Sequence, residues 1–176
     1  LMMDILARRG EIERMRLGDL DLAAGAVLIA RSKTDQAGRG VRVALSARTC
    51  EALEAWLIAS GLEEMAADDA GTARARDALP LFCALTKAGR PRRGPGGVPA
   101  PLTGRSIARL LSGYGAAIGV SGLAGHGLRR SVARVLHDGG VDEETITRLG
   151  RWSAIPQMRA YVGLAAPMKG AGAFLD

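Results

Sequence analysis

The stretch that decides the fold is Gly125-His126-Gly127-Leu128-Arg129-Arg130-Ser131-Val132-Ala133-Arg134-Val135-Leu136-His137-Asp138. At helical period His126 and Arg129, three positions apart, point to one side and can converge on one small anion. Arg130 shares that face approximately. Leu128, Val132, Val135 and Leu136 form the stripe expected to be buried, which would leave the His126 and Arg129 face open to a cleft. An HxxR pair alone is a weak signal, because most such pairs are surface pairs or satisfied core histidines. Its weight comes from the residues around it.

Downstream, Leu149-Gly150-Arg151-Trp152 is followed, nine residues after the tryptophan, by Tyr161 in Gln157-Met158-Arg159-Ala160-Tyr161-Val162. Upstream, Leu6-Ala7-Arg8-Arg9-Gly10-Glu11-Ile12 supplies an arginine and a glutamate three apart. Arg31-Ser32-Lys33-Thr34 places a lysine at a strand end or turn, in a chain with three lysines among 24 basic residues. In this order the four elements resemble the tyrosine recombinase, or phage integrase, family from Leu6 to Tyr161, nearly the whole chain. Leu-x-Arg-x-x-Glu-Ile-x-Arg-x-Arg, with a tryptophan where a second histidine would stand, is similar to the Cre-like branch. Ala7, Gly10 and the long Arg-Pro-Gly loop before Pro101 depart from the family pattern.

The resemblance implies an α+β, mainly α-helical structure: the tyrosine recombinase catalytic-domain fold, with a small antiparallel β-sheet near the N-terminus. The residues read compatibly. Apolar positions from Met3 to Leu17 predict a first helix that Gly18-Asp19 ends. Ala26 to Ala30 and Val41-Arg42-Val43 predict a hairpin, joined by the polar run from Ser32 to Gly40. Ser46 is the expected N-cap of a helix through Leu53, Trp56, Leu57 and Ile58 that Gly61 terminates. Residues 63 to 101 read mostly as loop, first acidic and then rich in Arg, Gly and Pro. Thr103 is expected to cap a helix through Ile107, Leu110 and Leu111; others follow Gly125, span Asp142 to Leu149 and begin at Ser153. The segment from Leu164 to Asp176 is too rich in small residues to assign.

A chain of 176 residues that is 48% hydrophobic has the length for one domain with a substantial core. Residues 1–176 are expected to form a single catalytic domain, with the family's N-terminal core-binding domain absent and DNA binding correspondingly weak. The formal net charge of +6 favours a polyanionic partner. The longest apolar run, Ala26 to Ala30, falls far short of the roughly 18 residues a membrane helix requires. Cys50 and Cys83 form neither a CxxC pair nor a metal cluster, which fits reduced thiols and a cytoplasmic location. No metal and no cofactor is expected: HExxH, a carboxylate cluster at metal spacing and a GxxxxGKS loop are all missing.

Breaking a phosphodiester without a metal requires fixed positive charge, because negative charge builds on the phosphate oxygens during attack. The family resemblance assigns that role to Arg8 and Arg129, whose guanidinium forks stay charged and donate parallel hydrogen bonds. It implies Tyr161 as the nucleophile, forming a 3′-phosphotyrosyl link and releasing a 5′-hydroxyl. Lys33 would protonate that leaving group. His126 would bond the phosphate or assist proton transfer from Tyr161, Trp152 would donate to a phosphate oxygen and pack beneath it, and Glu11 would orient Arg8 or its neighbours.

Plainer readings stand beside these. Tyr114 reads as packing, Trp56 as core, and His137 as a cation at a helix C-terminus. Lys33 could be an ordinary turn lysine, and the basic run from Lys87 to Arg93 a solvated surface. The expected partner is double-stranded DNA, with four protomers on two paired sites in the full-length protein. Leu164, Met168, Phe174 and Leu175 are candidates for packing into a neighbour. Competing functions are a type IB topoisomerase-like strand-passage enzyme and a DNA-binding protein whose catalysis has been lost.

Overall fold

The computed structural model describes residues 1–30, 40–62 and 73–164. Lys33 and the connection around it lie outside the described residues, as do Met168, Phe174 and Leu175.

Strands β1 (Leu20–Asp21), β2 (Ala26–Ile29) and β3 (Val41–Ala44) form an antiparallel sheet in that order. Val27 faces Val43 across the β2–β3 ladder. Side chains alternate between faces along a strand, and accordingly Val27 and Ile29 are buried while their neighbours are not. Helix α2 (Ala47–Ser60) begins where the Ser46 hydroxyl accepts the Thr49 amide at 3.3 Å, and ends at Gly61, whose φ of 62° is left-handed. A short helix α3 (Ala73–Asp77) follows. Helix α4 (Gly104–Ala117) starts under the Thr103 cap, which accepts from Ser106 N at 3.2 Å. Then come α5 (Gly125–Asp138), α6 (Glu143–Gly150) and α7 (Ile155–Val162). The mainly helical α+β fold with its small sheet is the one expected from the sequence.

The apolar residues sort into two clusters. One joins the sheet to α2 and α4 and holds Ile5, Ile12, Val27, Leu57, Leu81 and Ile107. Trp56, expected in the core, is half-buried and packs at its edge with the indole N–H donating to Leu81 O at 2.8 Å. The other joins α5, α6 and α7 through Leu6, Ala133, Ile146, Trp152, Met158 and Val162. Ile5 and Ala7 belong to the first cluster and Leu6 to the second, so three consecutive residues stitch the clusters together.

That stitch overturns the expected helix from Met3 to Leu17. Residues 2 to 6 are turns, Leu6 has a φ of 49°, Arg8 is extended, and the helix α1 spans only Arg9–Arg14. A continuous helix could not point Ile5, Leu6 and Ala7 into two cores at once. Residues 82 to 102, read as loop, pair as a narrow meander. Ala84 N donates to Ala100 O, Arg92 N to Ala84 O and Ala100 N to Arg92 O, and Lys87, Arg90, Arg92 and Arg93 are exposed on it. The prolines hid it, yet Pro91, Pro99 and Pro101 sit where their neighbours supply the ladder donors. On α5 Arg129 and Ala133 are buried and Val132 and Leu136 half-buried beside them, while Val135 is 69% exposed. Arg129 thus lies on the buried face rather than opposite it.

Candidate active site

At the seam between the two clusters a cleft of about 840 Å³ is lined by Arg8, His126, Arg129, Trp152 and Tyr161, together with Arg9. Five residues that sequence spacing singled out, drawn from the stretch before α1 and from α5, the turn after α6 and α7, converge there.

Tyr161 stands in the last turn of α7, one residue before its end at Val162. Its hydroxyl lies 2.9 Å from His126 Nδ1 and donates to His126 O at 3.1 Å. The two rings meet edge to face with centroids 4.5 Å apart. Burial pushes the Tyr161 phenol above its ordinary range, although the positive charge of Arg129 and Arg8 pulls the other way. Gly163 ends α7 at a φ of 77°; a Cβ there would meet the Arg130 guanidinium at 2.9 Å.

Arg129 is 3% exposed, and its Nη1 and Nη2 donate to the carbonyls of Leu6 and Gly150. A guanidinium carries five N–H groups, so this anchoring leaves others for an anion in the cleft. Its carbon sits 4.2 Å from the Trp152 ring centroid, a cation–π contact. Burial, then the charges of Arg8 and Arg151, push its pKa down to about 10, so it remains charged at neutral pH. Trp152 in turn lies 5.2 Å from the Tyr161 ring. The indole folds directly over Gly150, where a Cβ would come within 1.7 Å of Cζ3. The Gly-x-Trp spacing is thereby a steric necessity: with any side chain at 150, the indole could not stay in place.

Arg8 precedes α1 and keeps 29% of its side chain exposed. Its Nη1 donates to Glu11 Oε1 at 2.9 Å and its Nη2 to Arg151 O at 3.0 Å. Glu11 is buried and also accepts the Arg8 amide at 2.8 Å, closing the first turn of α1. Desolvation alone would raise the Glu11 pKa, but hydrogen bonds and charge from Arg151 and Arg8 outweigh it and hold the carboxyl below its usual range. Sequence reasoning passed over Arg151, which is 6% exposed and pairs with Glu11 Oε2 at 2.7 Å. The one signal for it was its place beside Gly150. Leu6 and Arg151 are, among the described residues, the non-glycine residues with positive φ, 49° and 53°. Left-handed backbone costs an L-residue about 1–2 kcal/mol, and both instances border this site.

Three guanidiniums around one carboxylate leave the cleft with surplus positive charge beside a phenol and an imidazole. Tyr114, the other tyrosine, is 65% exposed on α4 and outside the cleft. His137 sits at the end of α5 beside Asp138, at 3.3 Å. Among the described residues no group of three potential metal ligands occurs, and no helix is long and apolar enough to cross a membrane.

This architecture has relatives. The sequence matches the model of the phage integrase family over residues 1–167, and the chain belongs to that family. Its structure is similar to that of XerA recombinase, with a TM-score of 0.65 and 16% identity over 99% of this chain and 51% of that one. It is also similar to the Tn1549 transposon integrase in complex with a circular intermediate DNA (TM-score 0.60, 13% identity, 99% and 55% of the two chains). The same integrase in complex with transposon right end DNA gives a TM-score of 0.61 at 12% identity, over 99% and 54%. At these identities the likeness is one of fold, and the chain spans about half the length of these proteins. No curated protein matches the sequence.

Proposed function

We propose that this chain carries the catalytic centre of a site-specific DNA recombinase or integrase that cleaves and rejoins strands through a 3′-phosphotyrosyl link. The observation that carries this reading is the Tyr161 hydroxyl, 2.9 Å from His126 Nδ1, in a cleft that also holds Arg8 and Arg129. A nucleophile, a proton acceptor and paired fixed cations are what transesterification at a phosphodiester requires.

In the proposed route a scissile phosphate sits against Arg8 and Arg129. The Tyr161 oxygen bonds to phosphorus as the bond to the 5′ oxygen breaks, and the phenolic proton passes to His126. Lys33, outside the described residues, protonates the departing 5′ oxygen. Trp152 holds the Arg129 guanidinium from beneath, and Glu11 fixes Arg8. A 5′-hydroxyl of a partner strand then attacks the phosphotyrosine and reverses the exchange, so no ATP is consumed. DNA in the Tn1549 integrase complexes supports double-stranded DNA as the partner. Four protomers on two paired sites is the assembly we assign to the full-length protein, and the Cre-like branch rests on the sequence motif alone.

The test is incubation with a pool of nicked duplexes of random sequence, followed by a denaturing gel. A covalent protein–DNA adduct that Tyr161→Phe abolishes supports the assignment; an adduct that survives this substitution sinks it. Relaxation of supercoiled DNA without joint molecules would favour strand passage, and DNA binding with no adduct would favour a protein whose catalysis is lost.

A further inference from the structure

We infer that Arg151, the unspecified residue between Gly150 and Trp152, is a positioning residue that sets Arg8 for the phosphate, acting through Glu11 and through its own carbonyl. The inference rests on reading the site as a phosphodiester-cleaving centre. Arg151 is absent from the lining of the cleft, so it touches no substrate there. Its Nη2 donates to Glu11 Oε2 at 2.7 Å and to Leu6 O at 3.1 Å; its Nη1 donates to Leu149 O at 2.8 Å and Ile5 O at 3.1 Å. The side chain therefore ties the end of α6 to the stitch that precedes Arg8. Arg8 is then gripped at two points, both of which Arg151 controls. Nη1 meets Glu11 Oε1 at 2.9 Å, and Nη2 meets the Arg151 carbonyl at 3.0 Å.

The arrangement has a chemical purpose. A carboxylate alone with Arg8 would take its fork in a bidentate pair and largely cancel the charge a phosphate needs. Arg151 takes Glu11 Oε2 through Nη2 at 2.7 Å and reaches Oε1 through Nε at 3.5 Å. Arg8 therefore makes one side-chain bond to the carboxylate, at Oε1, and the N–H groups that neither Glu11 nor the Arg151 carbonyl takes are left for the cleft. The left-handed backbone at Arg151, φ 53° and ψ 44°, aims the carbonyl at Arg8 while the side chain reaches back beneath Ile5 and Leu6. Glycine adopts that backbone more readily, so Arg151→Gly removes the side chain without straining the turn.

The experiment measures single-turnover cleavage of a nicked duplex, and DNA affinity separately, for the whole 176-residue chain. Arg151→Gly is expected to lower the saturated cleavage rate about 10- to 100-fold with little change in Kd, as expected when a transition-state contact is misplaced. Arg151→Lys keeps the buried charge but cannot hold carboxylate and carbonyls in one plane; it guards against misfolding and should lose about tenfold. Within an Arg8→Ala background either substitution should change the rate by less than about twofold, because residues that act through one another are not additive. Wild-type rates in both variants, a loss confined to Kd, or full multiplicative loss on top of Arg8→Ala would overturn the inference. Failure of the parent chain to form any adduct would bring down the cleavage reading and this inference with it; an active parent with unimpaired Arg151 variants sinks the inference alone.

Discussion

Glu11 and Glu143 each meet an arginine at salt-bridge distance, and the two pairs do different work. Glu143 accepts two bonds from Arg159, at 2.7 and 2.6 Å, and faces His137 Nε2 at 3.9 Å, on the outer surface of α6 and α7. Its partner is 52% exposed, and its lowered pKa comes first from the Arg159 bonds. Glu11 accepts from Arg151 and Arg8 at similar lengths, yet its side chain is 1% exposed and burial opposes its charge. Outside, water screens each charge and the pair is a local tie between helices. Inside, a charge without its partner has nowhere to go, so the same residue types become a rigid frame with a cationic surplus.

The largest difference should follow from breaking the inner frame. Arg129→Ala is expected to reduce single-turnover cleavage about 10²–10³-fold. It would also leave the Gly150 carbonyl without its Arg129 donor, at about 1–3 kcal/mol, which a thermal melt will register, while the Leu6 carbonyl keeps its bond from Arg151. Next in size comes Gly150→Ala. The added Cβ cannot coexist with the indole of Trp152, so the ring and the Arg129 guanidinium stacked over it must shift, and displacements of about 1 Å at such sites cost up to about 100-fold. An unchanged rate in this variant would show that the Trp152 stack does not position Arg129.

The pH response separates the two regions further. The folded Glu11 pKa is lowered, so the unfolded chain takes up that proton first as pH falls. The stability Glu11 contributes is present above the ordinary carboxylate range, about pH 4.3, and is lost as pH drops through the folded value. Denaturant titrations of Glu11→Gln should therefore show a shallower acid decline than the parent chain. On the alkaline side, the raised phenol pKa of Tyr161 predicts a cleavage rate that climbs with pH. The smallest effect belongs to the outer pair: Glu143→Ala and Arg159→Ala should leave cleavage within about twofold, and any stability difference should fade in added salt.

The sequence made most of the cleft legible because its groups sit in short linear patterns. His126 and Arg129 share a helix face, Gly150 and Trp152 share a turn, and Tyr161 follows at fixed spacing. Caps at Ser46 and Thr103 were equally local. What local pattern could not supply was the packing of one segment between two cores. The break at Leu6, the burial of Arg129 and the exposure of Val135 all follow from where α5 and the stitch dock, a tertiary outcome. The ladder through residues 82 to 102 was masked by prolines, whose local meaning is loop. Arg151 was passed over because its partners, Ile5, Leu6 and Glu11, lie about 140 positions away in the chain.

The central claim, that Tyr161 is the nucleophile of this centre, is met most directly by mapping the covalent bond itself. After reaction with nicked DNA, nuclease trimming and trypsin digestion, mass spectrometry should find the nucleotide remnant on the peptide from Ala160 to Lys169, attached through Tyr161. A remnant on any other residue, Tyr114 included, or phosphodiester cleavage with no protein-linked nucleotide at all, would contradict the account.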